Sequence, residues 1–397
     1  MEKNEIVTAP EQEDFSLVLG GPFYRLLLHA RLVQPSMGLL RQRIIAVALI
    51  TWPPLALLTV LDGGFLGGVS VPFLYDVDVH VRFLIALPLL IGAELIVHSR
   101  LRVVIAQFTQ GNLIAPEDRR SFENIISWAN RLRDSVTIEI LLLVVAFAAS
   151  YSVSRSQASL GIASWYATIT HDAISFTWAG CWYVFVSMPI FRFILLRWYF
   201  RIFIWYLFLF RVSRLRLQLE ALHPDEAGGL EFLSFSIDAI APVLVAQSAC
   251  LAGIIADQIF YAGATLPDFK ILIGSVAAFL ILLAVLPLGF FAPQMAAAKR
   301  AALPKYGAFA ARYAREFRQK WWHVSQTRDK ELLGSADIQS LADLAGGYAV
   351  ARDMRLLPFR WDVLARLVIL IALPLLPLTL TIFPFEMMME QLLKFLI

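Results

Sequence analysis

Apolar runs long enough to cross a membrane alternate with polar segments along the whole chain. Each run comes close to the ~20 residues that an α-helix needs to cross ~30 Å of hydrocarbon. The runs occupy residues 44–61, 83–104, 138–154, 173–191, 237–260, 271–291 and 363–383. This pattern predicts an all-α integral membrane protein with about seven transmembrane helices, accompanied by amphipathic interfacial and cytoplasmic helices.

Composition supports the same class of protein. The 397 residues are 59% hydrophobic and 16% charged, whereas soluble domains average ~25% charged. The formal net charge of +3 is too small to indicate a nucleic-acid-binding protein. Cys181 and Cys250 lie in apolar runs, where a thiol usually acts as a small buried hydrophobe. We therefore predict the lipid bilayer as a partner, and no nucleic acid, cofactor or metal site.

The distribution of basic residues predicts the orientation, because Lys and Arg near span ends are retained in the cytoplasm. Of the 34 basic residues, 29 lie before the first span, between Arg100 at the end of the second span and the third, between the fourth and fifth, or between the sixth and seventh. The N-terminus is therefore expected in the cytoplasm.

Residues 193–210 are apolar enough for an eighth span, but an eighth span would place the twelve basic residues of segment 292–362 outside. We predict instead that 193–210 extends the fourth span along the interface. Its aromatic residues would lie at headgroup depth, and Arg197 and Arg201 would face the lipid and reach its phosphates.

These boundaries divide the chain into four parts. Residues 1–43 form a cytoplasmic tail and an interfacial helix, and 44–291 form a six-span membrane domain with a central cytoplasmic loop at 211–236. Residues 292–362 form a basic cytoplasmic helical region, and 363–397 form the seventh span and a short outer tail. Proline pairs in the first and seventh spans predict kinks, whose freed carbonyls neighbouring helices must satisfy.

The second span carries Glu94, His98 and Arg102 at a spacing of four residues, which places them on one helical face. Ionisable groups inside a membrane are costly and commonly functional. One interpretation is a proton or ion path, with Asp238 at the inner end of the fifth span as a further candidate. The alternative is a structural ladder at the inner interface, in which Glu94 pairs with a basic residue of the third or fourth span.

The central loop contains His223, Asp225 and Glu226, followed by Gly228 and Gly229. A binding or gating loop would use the polar side chains as contacts and the glycines for close backbone approach. A tight helix-to-helix turn punctuated by proline and glycine explains the same composition. Neither a phosphate cradle nor a metal site is predicted, because the lysine and the second ligand cluster are missing.

Residues 306–321 form an amphipathic basic helix in which Arg312, Arg315 and Arg318 lie away from an aromatic stripe. Binding of anionic lipid or of a partner protein is one interpretation, and packing against the inner face of the protein is the other. Outside, residues 76–80 alternate polar and apolar, which predicts an extended strand on an acidic surface.

Segments LHPDEAGGLEFL (222–233) and LLGSADIQSLADL (332–344) resemble those shared by a family of uncharacterised bacterial polytopic membrane proteins, as do residues 193–204 and 289–300. The resemblance implies residence in a bacterial inner membrane, and it carries no activity and no catalytic residue.

Common catalytic motifs are missing from the sequence, which lowers the expectation of an enzyme, although a lipid-modifying activity stays an alternative. We predict a channel or transporter for an ion or small solute, possible as a homo-oligomer. The alternative is a signalling or scaffold protein that acts through the central loop and the basic helix.

Overall fold

The computed structural model describes residues 16–18, 20–22, 40–158, 164–170, 173–322 and 336–381. In this part of the chain seven helices are long and apolar enough to cross a membrane, which confirms the predicted fold class and number of spans. Spans 1 to 7 are Leu40–Leu61, Val77–Gln110, Val136–Arg155, Trp178–Val212, Glu231–Ala262, Leu266–Trp321 and Trp361–Thr381. Most of the predicted interfacial helix and the outer tail lie outside the described residues.

Most spans join several helical segments. The α-helices are Leu40–Thr51, Pro53–Leu61, Val77–His80, Leu87–Gln110, Arg119–Arg133, Val136–Ala158, Trp178–Trp182, Met188–Val212, Phe235–Ala262, Lys270–Val285, Ala292–Trp321, Ala336–Asp353 and Trp361–Ala372. Two π-helical segments, Val81–Ala86 and Tyr183–Ser187, interrupt spans 2 and 4. The 3-10 segments are Phe73–Tyr75, Pro116–Asp118, Glu231–Ser234, Leu266–Phe269, Leu286–Phe291 and Leu373–Thr381.

Spans 2, 4 and 5 form the inside of the bundle. About half or more of the most apolar window of each is buried, up to 67% in span 5, against 17% in spans 1 and 3 and 22% in spans 6 and 7. Span 5 packs against spans 2, 6 and 7, and span 4 packs against spans 1, 2 and 3. The four outer spans therefore present most of their apolar surface away from the protein.

The inner spans are longer than a membrane requires. Spans 2, 4 and 5 contain 34, 35 and 32 residues, about 50 Å of helix each, against ~30 Å of hydrocarbon. Spans 1 and 3 contain 22 and 20 residues, and they begin level with the middle of spans 2 and 4, where Arg43 contacts Glu94. The inner spans therefore extend past the point where spans 1 and 3 begin. We call this end of the bundle the basic face.

Span 4 is one continuous helical run, so residues 193–210 extend the fourth span as predicted and do not form an eighth. Their predicted position at the lipid interface is wrong. Trp198, Trp205 and Phe208 are at most 2% exposed, because spans 2 and 3 and the helix Arg119–Arg133 cover them.

The predicted kinks have the expected partners. Span 1 breaks at Trp52, just before Pro53 and Pro54. The carbonyl of Ile50, which Pro54 cannot bond, accepts a hydrogen bond of 3.1 Å from Trp182 Nε1. In span 7 the change to a 3-10 helix frees the carbonyl of Ile371, and Ser248 Oγ donates to it at 2.5 Å.

The opposite end of the bundle, which we call the acidic face, carries a hairpin that the sequence did not predict. Strands Ala167–Thr170 (β1) and Ala173–Phe176 (β2) pair antiparallel. The predicted fourth span began at residue 173, inside this hairpin, whereas the helix begins at Trp178. The predicted strand at residues 76–80 is also wrong: Asp76 instead caps the helix Val77–His80, with its carboxylate accepting from Val79 N at 3.0 Å.

Candidate functional site

A buried cluster of charged residues surrounds Glu94 in the middle of span 2. One carboxylate oxygen accepts a hydrogen bond from Arg201 Nη1 at 2.8 Å, and the other accepts from Arg43. All three side chains are at most 10% exposed. Glu94 therefore links spans 1, 2 and 4, which is the structural ladder that the sequence left open as an alternative.

The same cluster extends to span 3. Arg197 lies 3.4 Å from Glu139, and both side chains are at most 10% exposed. Arg197 and Arg201 are also stacked over aromatic rings of their own helix, Phe193 and Trp198. Their predicted contact with lipid is wrong, because carboxylates of neighbouring spans compensate their charge inside the protein.

A short N-terminal segment covers this cluster on the basic face. Ser16, Leu17 and Val18 are buried, and the carbonyl of Val18 accepts from Arg201 Nη2 at 3.4 Å. Ser16 Oγ is hydrogen-bonded to His98 Nδ1 at 2.9 Å. His98 therefore contacts the N-terminal segment, while Arg102 is exposed further along the same helix.

A second group of charges lies deeper in the bundle, toward the acidic face. Arg82 Nη2 donates to both carboxylate oxygens of Asp78, to Oδ1 at 2.6 Å, and Arg82 Nη1 donates to Met188 Sδ at 3.1 Å. The main-chain N–H groups of Val77 and Asp78 donate to Asp257 at 2.9 and 3.0 Å. Asp257 of span 5 thus caps the first turn of span 2.

Three buried donor atoms of spans 2, 4 and 5 have no hydrogen-bond acceptor among the described residues. They are Arg82 Nε, Arg192 Nη1 and Gln247 Nε2. The Gln247 side chain is held by its oxygen, which accepts from Tyr199 OH at 2.5 Å. No salt bridge joins Arg192 to a carboxylate in the described part of the chain.

The central loop is a turn organised around Asp225. Its carboxylate accepts hydrogen bonds from the main-chain N–H groups of Ala227, Gly229 and Glu231 at 2.8 to 3.1 Å. Burial alone would raise the pKa of Asp225, but these donors outweigh it, and the pKa lies below the ordinary value. His223 Nδ1 lies 2.8 Å from the same carboxylate.

The glycines of this loop are needed for its shape. Gly228 and Gly229 have φ of +68° and +90°, and a Cβ on Gly228 would lie 2.8 Å from the end of the Met354 side chain. Glu226 also has a positive φ, +53°, and its carbonyl accepts from Arg355 N at 2.7 Å. The loop is therefore anchored to the segment before span 7.

A cleft of about 620 Å³ opens on the basic face beside this loop. It lies between the end of span 2, the central loop and the first turns of spans 5 and 7. Asp238 lies in this cleft, 3.6 Å from Arg100 and 3.8 Å from Arg366. The charged residues that line it are Glu220, His223, Asp225, Glu231, Asp238, Arg360, Asp362 and Arg366. The structure thus brings Asp238 together with the loop, and not with Glu94.

The basic helix, Ala292–Trp321, is the last segment of the continuous helical run Leu266–Trp321, and it packs against the helix Ala336–Asp353. Arg312 forms an exposed ion pair with Glu316 at 3.0 Å, and Arg318 stacks on Trp322. Arg315 is also exposed. Contact of Arg312, Arg315 and Arg318 with anionic lipid stays a prediction.

Sequence reasoning missed Arg43, Glu139, Arg82 and Arg192 as site residues. The usable signal was an ionisable residue inside or just within an apolar run, which is costly unless compensated. No group of three or more His, Cys, Asp or Glu within the described ranges is placed to hold a metal ion.

Comparison with known proteins finds no match among family models, curated proteins or solved structures. The family resemblance of residues 222–233 and 332–344 therefore stays a prediction.

Proposed function

We propose that this multi-pass membrane protein is a channel or transporter for a small ion or solute. The observation that carries the proposal is the row of ionisable residues on the inner spans: Arg82 and Arg192 lie deep between spans 2, 4 and 5, and Arg197 follows further along span 4. Ionisable residues at such depth are rare, usually face the bundle interior and are candidates for a substrate or ion path by default.

The local helix geometry supports a path at this position. Spans 2 and 4 each contain a π-helical segment, Val81–Ala86 and Tyr183–Ser187. The rings of Phe83 and Tyr183 pack edge to face between them, with centroids 6.3 Å apart. Each segment is followed within two residues by a proline, whose missing N–H and ring clash account for the distorted turn. Such turns weaken the regular helix and leave room for side chains to rearrange.

The proposed path differs from the one through Glu94 and His98. Both Glu94 oxygens accept hydrogen bonds from buried arginines, so its negative charge is already compensated. A proton relay needs a carboxyl group that can change its charge, and two neighbouring guanidinium groups oppose this change. We infer that Glu94 holds the inner spans together, and that Arg82 and Arg192 line the path.

The basic face is proposed to lie in the cytoplasm of a bacterial cell, because retained basic residues mark that side. The exposed apolar surfaces of the outer spans would contact lipid or further copies of the chain in a homo-oligomer. In this orientation the N-terminal residues Ser16 to Val18 lie at the cytoplasmic end of the bundle.

The test is flux into liposomes that contain the purified full-length protein. Entry of small cations, anions and neutral solutes is compared with entry into protein-free liposomes. We expect at least one solute to enter faster with the protein, and we expect His98→Ala to leave its rate unchanged. Equal rates with and without protein for the whole panel would refute passage, and loss of flux in His98→Ala would restore the path through His98.

The second candidate is a signalling or scaffold protein, favoured by the basic-face cleft beside His223. Carboxylates, arginines and His223 line it beside apolar side chains, and this mixed charge suits a soluble partner or ligand more than lipid. This candidate predicts that a pull-down with the wild type recovers a soluble protein that is lost in a Glu220→Ala, His223→Ala variant. It also predicts no flux.

A further inference from the structure

The N-terminal segment, Ser16 to Val18, is held by side chains of three different helices. Ser16 Oγ is hydrogen-bonded to His98 Nδ1 of span 2 at 2.9 Å, and the Ser16 carbonyl accepts from Arg133 Nη1 of the helix before span 3. The carbonyl of Val18 accepts from Arg201 Nη2 of span 4 at 3.4 Å. The segment therefore lies across spans 2 and 4, and two of its three contacts are made through its main chain.

The side chains of this segment are buried in the bundle. Ser16, Leu17 and Val18 are at most 5% exposed, and the last two belong to the same hydrophobic core as spans 2, 4 and 5. Arg201, which donates to the Val18 carbonyl, also donates to Glu94 at 2.8 Å. The segment is therefore in direct contact with the charged cluster and covers it on the basic face.

The attachment of this segment is small compared with the packing of a span. Within residues 16–18, two apolar side chains and a few hydrogen bonds oppose the conformational entropy of the residues that they order. By contrast, the helix Met188–Val212 of span 4 buries 14 of its 25 residues. Segments with few buried side chains open locally at a lower free energy than the core. The segment can therefore detach while the bundle stays folded.

Gly20, two residues after the segment, passes close to the residues that precede span 3. Its φ is +136°, and a Cβ on it would collide with the guanidinium of Arg133 and lie 2.5 Å from Asp134 Oδ1. Arg133 Nε in turn donates to Asp134 at 2.7 Å. A larger side chain at residue 20 must therefore displace either the segment or Arg133, and both displacements break the hydrogen bond to the Ser16 carbonyl.

We propose that the N-terminal segment is a lid on the basic face, which detaches to admit water to the charged cluster around Glu94. Its role rests on the proposed passage function, because a path that follows span 4 past Arg197 ends beside Arg201, which the lid contacts. The structure is then the closed state, and passage occurs while the lid is open. His98→Ala removes one contact and keeps both arginine contacts, so we expect that variant to keep the lid.

The first experiment measures detachment of the lid without flux, by the rate at which a charged, water-soluble maleimide modifies a cysteine in the purified full-length protein. The parent protein carries Cys181→Ala and Cys250→Ala, which remove the two native thiols. We expect Ser16→Cys to react more slowly than Ser340→Cys, which lies on an exposed helix position. Gly20→Val should raise the rate of Ser16→Cys about tenfold, as expected for loss of one hydrogen bond to a charged group.

The matched control for Gly20→Val is Gly67→Val, because a Cβ on Gly67 meets no atom within 4 Å, and it should leave the rate unchanged. Gly20→Ala, a smaller change at the same position, gives a second variant should Gly20→Val fail to fold. Leu17→Cys keeps the Ser16 side chain and repeats the measurement at a second buried position of the lid.

The second experiment compares the same glycine variants in the liposome flux assay, without the added cysteines. Gly20→Val should raise the rate of any solute that the wild type passes several-fold, because the lid is open for a larger fraction of the time. Gly67→Val should keep the wild-type rate.

The outcomes separate the lid from passage. Faster labelling in Gly20→Val, together with no flux in any protein, supports a detachable lid and refutes passage. Flux in the wild type, together with labelling that Gly20→Val does not accelerate at either cysteine, overturns the lid and leaves passage standing. Faster labelling with unchanged flux overturns the role of the lid in passage. Lid cysteines that both react as fast as Ser340→Cys in the parent protein also overturn the lid.

Discussion

Replacement of Glu94 by Gln tests the inference that this residue holds the inner spans together. The change removes the negative charge between Arg43 and Arg201, whose side chains are 9% and 5% exposed. Removal of one partner from a buried ion pair costs ~3–5 kcal/mol, because the remaining charge stays buried. Gln still accepts one hydrogen bond, so we expect a loss of about 3 kcal/mol in the free energy of unfolding.

The matched control is Glu117→Gln. Glu117 lies 3.6 Å from Arg216, but their side chains are 79% and 83% exposed. Exposed ion pairs contribute ~0–1 kcal/mol, so this substitution should change stability by less than about 1 kcal/mol. Both substitutions remove one carboxylate from an ion pair with arginine, and they differ in burial.

Unfolding of the purified variants in mixed micelles, followed by tryptophan fluorescence, gives the free energies. A double-mutant cycle with Arg201→Gln then measures the coupling between the two side chains. We expect Arg201→Gln to cost less in the Glu94→Gln background than in the wild type. A Glu94→Gln variant as stable as Glu117→Gln, or a coupling energy near zero, would refute the reasoning.

Three further predictions concern the loop and the contacts between spans. The pKa of Asp225 is lowered, so its contribution to stability is present above the ordinary value of 3.8 and is lost as the pH falls through the folded pKa. Asp225→Asn should therefore lower the unfolding free energy at pH 7. The difference between this variant and the wild type should shrink below pH 3.8. Trp182→Phe removes the donor to the Ile50 carbonyl and should lower the unfolding free energy by ~1–3 kcal/mol. Trp178 is 77% exposed, so the control Trp178→Phe should change the unfolding free energy little in the same assay. Gly253→Ala places a Cβ 2.9 Å from a backbone atom of span 2 and should lower the melting temperature by several degrees, whereas Gly274→Ala, with no atom within 4 Å, should leave it unchanged.

The number of spans and their approximate positions could be predicted from the sequence, because a membrane requires an apolar run of fixed minimum length. The proline kink in span 1 was predictable for the same kind of local reason, since proline removes a specific hydrogen bond of its own helix. The central loop was predictable as a turn, because Asp225 accepts from residues only two to six positions later.

Charge partners within the bundle could not be predicted. Glu94 meets Arg43 and Arg201, which are 51 and 107 residues away in the chain. Arg197 and Arg201 were expected to reach lipid phosphates, since the sequence alone offers no other compensation for an arginine in an apolar run. The structure supplies Glu139 and Glu94 instead, from spans that the sequence does not place beside span 4.

Local sequence therefore predicts which segments are long and apolar enough to cross a membrane and where the chain turns, since both follow from interactions between residues near one another in the chain. Helix packing determines which charges are compensated and that the N-terminal segment covers Glu94. It also determines that Arg192 and Gln247 each have a donor without an acceptor among the described residues. Each of these depends on which helices are neighbours and on how they are rotated about their axes. Packing of the whole bundle fixes that arrangement, and many arrangements share the same apolar pattern.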